Sequence, residues 1–198
     1  MLGFARSVAR GQKARGCVVA VAALSACGSS EIRAWEGSDW TDYRDVSAFW
    51  ESNAPGEFSA CGSLHPDLRA VDGDSSVCLH VRLDRDWLTA VKSPAVLNLD
   101  GRATVRPALP SAPEVSWEAG DTHSSAVVAA WVSQRCFADV WSTPVVQQLQ
   151  GTLRLHAVQD GRLAGSLVLD MTGAPAGVRL CGGVIDRVRG GVDFSLPR

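Results

Sequence analysis

The segment from Gln150 to Met171 restricts the fold of this chain most, because leucines alternate with other residues on both sides of an Asp160-Gly161 pair. The alternating leucines are Leu153, Leu155, Leu163, Leu167 and Leu169. Successive side chains of a strand point to opposite faces of a sheet, and Asp-Gly favours the tight turn of a hairpin. The segment therefore predicts an antiparallel hairpin with one apolar face.

Other short apolar runs, separated by turn residues, predict further strands. These runs are Val77 to Leu83, Ala95 to Leu99, Ala103 to Arg106, Val115 to Trp117, Ser125 to Val132, Phe137 to Trp141, Ala176 to Ile185 and Val192 to Leu196. We expect the second and third runs to pair across Asp100-Gly101. Ser125 to Val132 also fits a helix, and we favour a strand. Turn signals every 8 to 12 residues or so predict a mainly β chain, folded as an antiparallel β-sandwich or flattened barrel with one or two short helices.

Two segments have the apolar spacing of a short helix. The first lies between Ser38 and Asn53, and its spaced apolar residues are Tyr43, Val46, Phe49 and Trp50. The second follows a cap at Asp84 or Asp86 and is stopped by Ser93-Pro94. Between them, the stretch from Phe58 to Ser76 is rich in glycine, serine and aspartate, and we expect turns there.

The run from Val77 to Leu83 alternates regularly, with Val77, Leu79, Val81 and Leu83 on one face. His80 and Arg82 fall on the other face. Antiparallel sheets commonly expose one face to water. We therefore expect His80 and Arg82 to be solvated.

The first 26 residues have the layout of a secretory signal peptide. Four basic residues, Arg6, Arg10, Lys13 and Arg15, precede an apolar stretch from Cys17 to Ala26, and the segment contains no acid. This stretch is shorter than the ~20 apolar residues that a transmembrane helix requires. We expect a signal that is removed rather than a membrane span.

Leu24-Ser25-Ala26-Cys27 ends this stretch and resembles the lipobox of bacterial lipoprotein precursors. The resemblance implies cleavage before Cys27, a diacylglyceryl thioether on its sulfur and acylation of its new amino group. Two or three acyl chains anchor a protein stably, whereas one binds reversibly. Gly28 follows the cysteine in place of Asp, so the resemblance favours the outer membrane of the cell envelope. The alternatives are a cleaved signal with an incidental cysteine, or a mistranslated start ahead of a cytosolic domain.

We expect one folded domain after the leader. The predicted division is 1–26 as signal peptide, 27–37 as lipidated N-terminus and flexible spacer, and 38–198 as a single disulfide-braced β-rich domain. Removing the leader takes four of the 19 Lys and Arg residues and none of the 21 Asp and Glu residues, which leaves a mature charge of about −6. An acidic chain without a basic stripe argues against a nucleic-acid partner.

Four cysteines remain after Cys17 and Cys27 are set aside: Cys61, Cys78, Cys136 and Cys181. Behind an export signal, an even number of cysteines predicts disulfides, and four permit three connectivities. We favour Cys61 with Cys78 and Cys136 with Cys181, because the first two are close in the chain and flank a turn-rich segment. A zinc site is the weaker alternative, because no two cysteines have the short spacing that structural zinc sites use.

The sequence contains few signs of catalysis. The motifs of serine hydrolases, phosphate-binding loops, zinc proteases and dinucleotide-binding folds are absent. The most site-like group is Glu118, Asp121 and His123, because two carboxylates and an imidazole so close together can bind a metal or act as acid and base. Isolated polar loop residues are the alternative. We predict no catalytic residue and no cofactor.

Trp35, Trp40 and Trp50 lie close together in the N-terminal part of the chain. They form either a sugar-stacking platform or part of the β core, and we favour the core. We expect a membrane-anchored envelope lipoprotein that acts as a non-catalytic binding or accessory subunit. Its partners would be the membrane, through the lipid, and an envelope protein. The alternative is a small envelope hydrolase or a carbohydrate-binding module.

Overall fold

The computed structural model describes residues 30–64, 75–91, 94–106, 113–135, 143–156, 162–177 and 185–197. This part of the chain forms a 12-stranded, curled, mostly antiparallel sheet and one short helix, so the mainly β prediction is confirmed. The strands are β1 Glu31–Glu36, β2 Asp39–Trp50, β3 Glu57–Ser63, β4 Ser76–Leu83, β5 Ala95–Asn98, β6 Gly101–Arg106, β7 Glu114–Ala119, β8 Val127–Arg135, β9 Val145–Leu155, β10 Arg162–Gly173, β11 Ala176–Gly177 and β12 Ile185–Pro197, and the helix is α1 Arg85–Ala90. No helix in these ranges is long and apolar enough to cross a membrane.

The strand order is β11-β8-β4-β3-β2-β1-β12-β10-β9-β6-β7, and β5 also pairs with β9. The short β11 runs parallel to β8. The long strand β2 serves two neighbours, since its first half pairs with β1 and its second half with β3. A register shift lies between Arg44 and Ser47, and Asp45 there has a φ of 49°. Such bulges bend a strand and increase its twist, so β2 curls the sheet.

Apolar residues at alternate strand positions fill the inner face of the curl. The largest of them are Ile32, Tyr43, Phe58, Leu79, Leu83, Leu99, Leu149, Leu153, Leu155, Leu163 and Leu167. Gly190 of β12 lies against the Leu79 side chain of β4, and a Cβ at this glycine would overlap Leu79. The two sides of the curled sheet therefore meet in one core.

Gln147 links two strands, β9 and β8, that lie far apart in the strand order but face each other across the curl. The side-chain oxygen of Gln147, on β9, accepts from the Val132 amide of β8 at 2.8 Å. Its side-chain nitrogen donates to the Val132 and Ala174 carbonyls at 2.7 and 3.0 Å. The fully buried amide thus satisfies backbone groups of β8 next to the short pairing with β11.

Several predicted elements are confirmed. The strands β9 and β10 pair in register from Gly165 opposite Leu155 to Gly173 opposite Gln147, as the leucine alternation predicts. The run from Ser125 to Val132 is largely strand, within β8. Helix α1 begins after Asp84, whose carboxylate accepts from the Trp87 amide at 2.7 Å, so the predicted N-cap is present.

Other expectations differ from the structure. The segment predicted as a helix between Ser38 and Asn53 contains β2, and the turn-rich stretch after Phe58 opens with β3. The strands β5 and β6 do not pair with each other but follow one another along the same edge of β9. Strand β1 already begins at Glu31, inside the segment 27–37 that we expected to be a spacer.

The predicted disulfide between Cys61 and Cys78 is present and links directly opposed residues of β3 and β4. Cys136 and Cys181 lie outside the described residues, as do the lipobox with Cys27, the predicted strand from Phe137 to Trp141 and the end of the hairpin at Asp160-Gly161.

Candidate functional site

The three residues that the sequence singled out do not form a compact ligand set. Glu118 lies on β7, is 71% exposed and pairs with Arg102 of β6 at 3.6 Å. Asp121 is exposed in the turn that follows β7, and the His123 ring packs against Trp117 at 5.6 Å. Among the described residues, the group of three metal-type ligands with atoms within 4.8 Å of one another is instead Glu51, Glu57 and His80.

The tryptophans divide between the two faces of the sheet. Trp50 packs against the core, with its ring 6.2 Å from that of Phe58 and its indole N–H donating to the Pro197 carbonyl at 2.8 Å. Trp35 and Trp40 are opposed residues of β1 and β2, and their rings meet edge to face at 5.6 Å on the outer face. The expectation that all three belong to the core therefore holds for Trp50 alone.

Arginines surround the outer tryptophan pair. The guanidinium groups of Arg33 and Arg189 lie 5.8 and 5.1 Å from the centre of the Trp40 ring, and Arg187 is opposite Trp35 on β12. Cations at these distances are attracted to the ring face. We call this surface, formed by Arg33, Trp35, Trp40, Arg187 and Arg189, the tryptophan–arginine face.

Two carboxylates hold these arginines in place. Asp170 of β10 accepts from Arg187 at 2.9 Å and from Arg189 at 2.8 Å, and Asp42 of β2 accepts from Arg33 at 2.6 Å. Partial burial would raise the pKa of Asp170, but the hydrogen bonds and charges of the two arginines outweigh it and lower that pKa. Asp170 therefore stays charged and keeps the arginine heads ordered.

A shallow groove of about 570 Å³ continues this face along β1, β12 and β10. Its lining includes two arginines of the tryptophan–arginine face, Arg33 and Arg189, and their neighbour Asp170. Gly191 adds no side chain to the groove lining, and Val168 opposite it is 56% exposed. The face thus combines aromatic edges, ordered charges and an apolar depression.

A second arrangement lies on the outer face of β3, β4 and β8. The His80 ring stacks on Trp131, with 4.8 Å between ring centres and 8° between planes. Its Nδ1 is 2.8 Å from Ser59 Oγ, and its Nε2 is 2.7 Å from Ser133 Oγ. His80, Ser59 and Ser133 are 8%, 0% and 7% exposed, so the predicted solvation of His80 is wrong.

Two carboxylates flank this histidine. Ser59 donates to Glu51 at 2.6 Å, and Glu57 Oε1 is 3.7 Å from His80 Nδ1. Arg82 donates to Glu57 Oε2 at 2.9 Å. Burial raises the pKa of Glu57 by more than the hydrogen bond and charge of Arg82 lower it. The charge of one carboxylate, Glu57, is therefore balanced by Arg82. The other carboxylate, Glu51, is connected to His80 through the Ser59 hydroxyl.

The sequence contained only weak signals for these two sites. Alternation in β4 placed His80 on the outer face, but Ser59 and Ser133 are 21 and 53 residues away from it in the chain. The tryptophan–arginine face likewise combines β1 and β2 with residues of β10 and β12. Comparisons with protein-family models, curated proteins and solved structures find no match for this chain.

Proposed function

We propose that this chain is a membrane-anchored binding subunit of the bacterial cell envelope, and that its tryptophan–arginine face docks a protein partner. The observation that carries the proposal is the outward Trp35–Trp40 pair with three ordered arginines around it. Tryptophan and arginine are the residues most enriched at the energetic centres of protein interfaces. Side chains already held in one geometry lose less entropy on binding.

The charge balance of this face favours a protein over a polyanion. The three arginines are matched by Asp42, Asp170 and the groove residue Glu31, which is 3.2 Å from Arg33. A face with both signs of charge offers complementary pairs to a mixed protein surface. Nucleic acid, in contrast, binds through an excess of positive charge.

The proposed membrane anchor rests on the resemblance of Leu24-Ser25-Ala26-Cys27 to a lipobox. Cys27 precedes the first residue of β1, Glu31, by four positions, which span at most about 14 Å of extended chain. The acyl chains of Cys27 would therefore hold the start of β1 close to the membrane surface. Trp35 lies at the other end of β1, so the tryptophan pair lies farther from the lipid than the groove residue Glu31. In cells, Cys27→Ala should move the chain from the membrane fraction to the soluble fraction.

Affinity capture tests the binding face. The full chain is purified from detergent-solubilised envelopes of its native cells, and the proteins that accompany it are quantified by mass spectrometry. Arg189→Ala should reduce a specific companion at least tenfold, because it removes an ordered cation from the centre of the face. Arg102→Ala is the matched control, since Arg102 is an equally exposed strand arginine that pairs with one carboxylate elsewhere. Equal recovery of every companion with both variants would contradict the proposal.

A carbohydrate-binding module is the second candidate, favoured by the outward, half-buried position of the same tryptophan pair. Sugar rings stack on aromatic side chains, and such stacking changes tryptophan fluorescence. Titrating the full chain with cell-wall glycans should then shift the emission of the wild type and leave Trp40→Ala unchanged. Emission that is unmoved in the wild type would remove this candidate and leave the protein partner.

A further inference from the structure

A continuous chain of hydrogen bonds crosses three strands on the outer face of the sheet. It runs from Ser133 on β8 to His80 on β4 at 2.7 Å, and from His80 to Ser59 on β3 at 2.8 Å. Ser59 continues it to Glu51, just after β2, at 2.6 Å. This group lies on different strands from the tryptophan–arginine face, and the proposed binding function does not use it.

The donors and acceptors fix the direction of this chain. A carboxylate can only accept, so the hydroxyl proton of Ser59 is committed to Glu51. Ser59 Oγ must then accept from His80, which places a proton on His80 Nδ1. A neutral imidazole with its proton on Nδ1 has a lone pair on Nε2. In that form of the His80 ring, the Nε2 lone pair faces the Ser133 hydroxyl at 2.7 Å.

This is the arrangement that activates a serine nucleophile. A serine hydroxyl becomes reactive when a base accepts its proton and a third group orients that base. Stacking on Trp131 fixes the plane of the imidazole, and Ser59 fixes its tautomer. Burial of His80 and Ser133 excludes bulk water, which strengthens the electrostatic interactions between them.

The surroundings of Ser133 indicate the class of substrate. Ser133 lies directly opposite Cys78 of the Cys61–Cys78 disulfide, and two residues from Trp131 on the same face of β8. Cys78 and Trp131 are 3% and 1% exposed, so the packing next to Ser133 is apolar. The charged pair of Glu57 and Arg82 lies two residues from His80 in the other direction along β4. An acyl group that reaches Ser133 would therefore enter apolar surroundings, which favours an apolar acyl chain.

We propose that this group is an ester-hydrolysing site, with Ser133 as nucleophile, His80 as general base, and Ser59 with Glu51 as positioning residues. Ser133 Oγ bonds to the carbonyl carbon of an ester with an apolar acyl group, and its proton passes to His80 Nε2. The ester C–O bond breaks, and the departing alcohol takes that proton. Water then attacks the acyl-serine, gives a proton to His80 and releases the acid, while Ser133 regains its proton.

Covalent labelling of the detergent-purified full chain tests the site. A fluorophosphonate reacts with serines that are activated by a base, and we expect it to modify the peptide that contains Ser133. The chain should also hydrolyse p-nitrophenyl butyrate. Ser133→Ala should abolish both reactions, and His80→Gln should slow both at least 100-fold. A wild-type chain that is neither labelled on Ser133 nor active on the ester would overturn the proposal.

Matched variants separate chemistry from packing. Ser47→Ala removes an exposed hydroxyl of β2, opposite Cys61 on β3, and should leave labelling unchanged. Ser59→Ala should slow labelling, and Ser59→Thr should restore it, because threonine keeps the hydroxyl that orients His80. Near-ultraviolet circular dichroism checks that each variant is folded. Equal labelling of folded Ser59→Ala and wild type would refute the positioning role of Ser59. Capture of a protein partner should be unaffected by Ser133→Ala, which separates this proposal from the binding function.

Discussion

Gln147 takes the place of a strand backbone where β9 approaches β8 across the curled sheet. Its amide accepts from and donates to Val132, as a neighbouring peptide group would, and it also binds Ala174. Buried backbone groups without partners are costly. A single polar side chain therefore satisfies both backbone groups of Val132, next to the residues of β8 that pair with β11.

Replacing this amide tests that role. Gln147→Leu should lower the free energy of unfolding by about 2 to 4 kcal/mol, because buried amide and carbonyl groups of β8 lose their partner. Gln148→Leu, at the exposed neighbouring position of β9, is the control and should change it by less than about 0.5 kcal/mol. Urea unfolding of the Cys27→Ala chain measures both. Similar values for the two variants would show that the Val132 groups find other partners.

Glu57 should give stability a specific pH dependence. Because burial raises its pKa in the folded state above the usual 4.5, the folded chain binds this proton more tightly than the unfolded chain. The stabilisation from that proton is complete below pH 4.5 and is lost as the pH rises through the raised pKa. The wild type should therefore lose stability relative to Glu57→Gln over the pH range that begins at 4.5 and extends through the raised pKa. Urea midpoints across that range measure the difference, and a constant offset between the two proteins would contradict the raised pKa.

The sequence predicts burial correctly for the apolar face of a strand but not for its second face. Alternation in β4 correctly places Val77, Leu79 and Val81 in the core. It does not predict that His80 is buried, because burial of the second face depends on which strands become neighbours. Those neighbours, β3 and β8, bring Ser59 and Ser133 from distant parts of the chain.

At the scale of elements, β2 shows why a strand can have the apolar spacing of a helix. Tyr43, Val46, Ala48 and Trp50 all pack towards the core. The bulge between Arg44 and Ser47 adds one residue, so the first interval is three positions and the later ones are two. The three positions from Tyr43 to Val46, followed by the adjacent apolar residues Phe49 and Trp50, give the spacing that is typical of a helix. The bulge, and therefore the strand, could not be identified from spacing alone.

The disulfide between β3 and β4 is a covalent link between two neighbouring strands. It closes a loop with a sequence separation of 17 residues, so removing it should lower the unfolding free energy by about 3 kcal/mol, because the unfolded chain gains freedom. The double variant Cys61→Ala/Cys78→Ala tests this by thermal unfolding. The control is Ser63→Ala/Ser76→Ala, another opposed pair of the same two strands. A melting temperature as high as that of the control would mean that β3 and β4 hold this loop without the bond.

For the whole molecule, the mainly β class was predictable because turn residues recur between short apolar runs. The strand order was not, since it depends on pairings such as β1 with β12, which join opposite ends of the domain. The tryptophan–arginine face follows from that pairing. Composition indicates an acidic chain, whereas this face is locally balanced in charge because distant arginines and carboxylates meet there.

The proposed function requires this face and its groove to dock a protein partner while the chain is anchored. Site-specific photocrosslinking in native cells tests this contact, with a photoreactive amino acid at Val168 in the groove or, as control, at Val96 on β5. The two valines are 56% and 57% exposed, so they differ in location and not in accessibility. We predict a discrete crosslinked protein at Val168 and none at Val96. Equal crosslinking at both positions, or none at Val168, would contradict the proposed docking function.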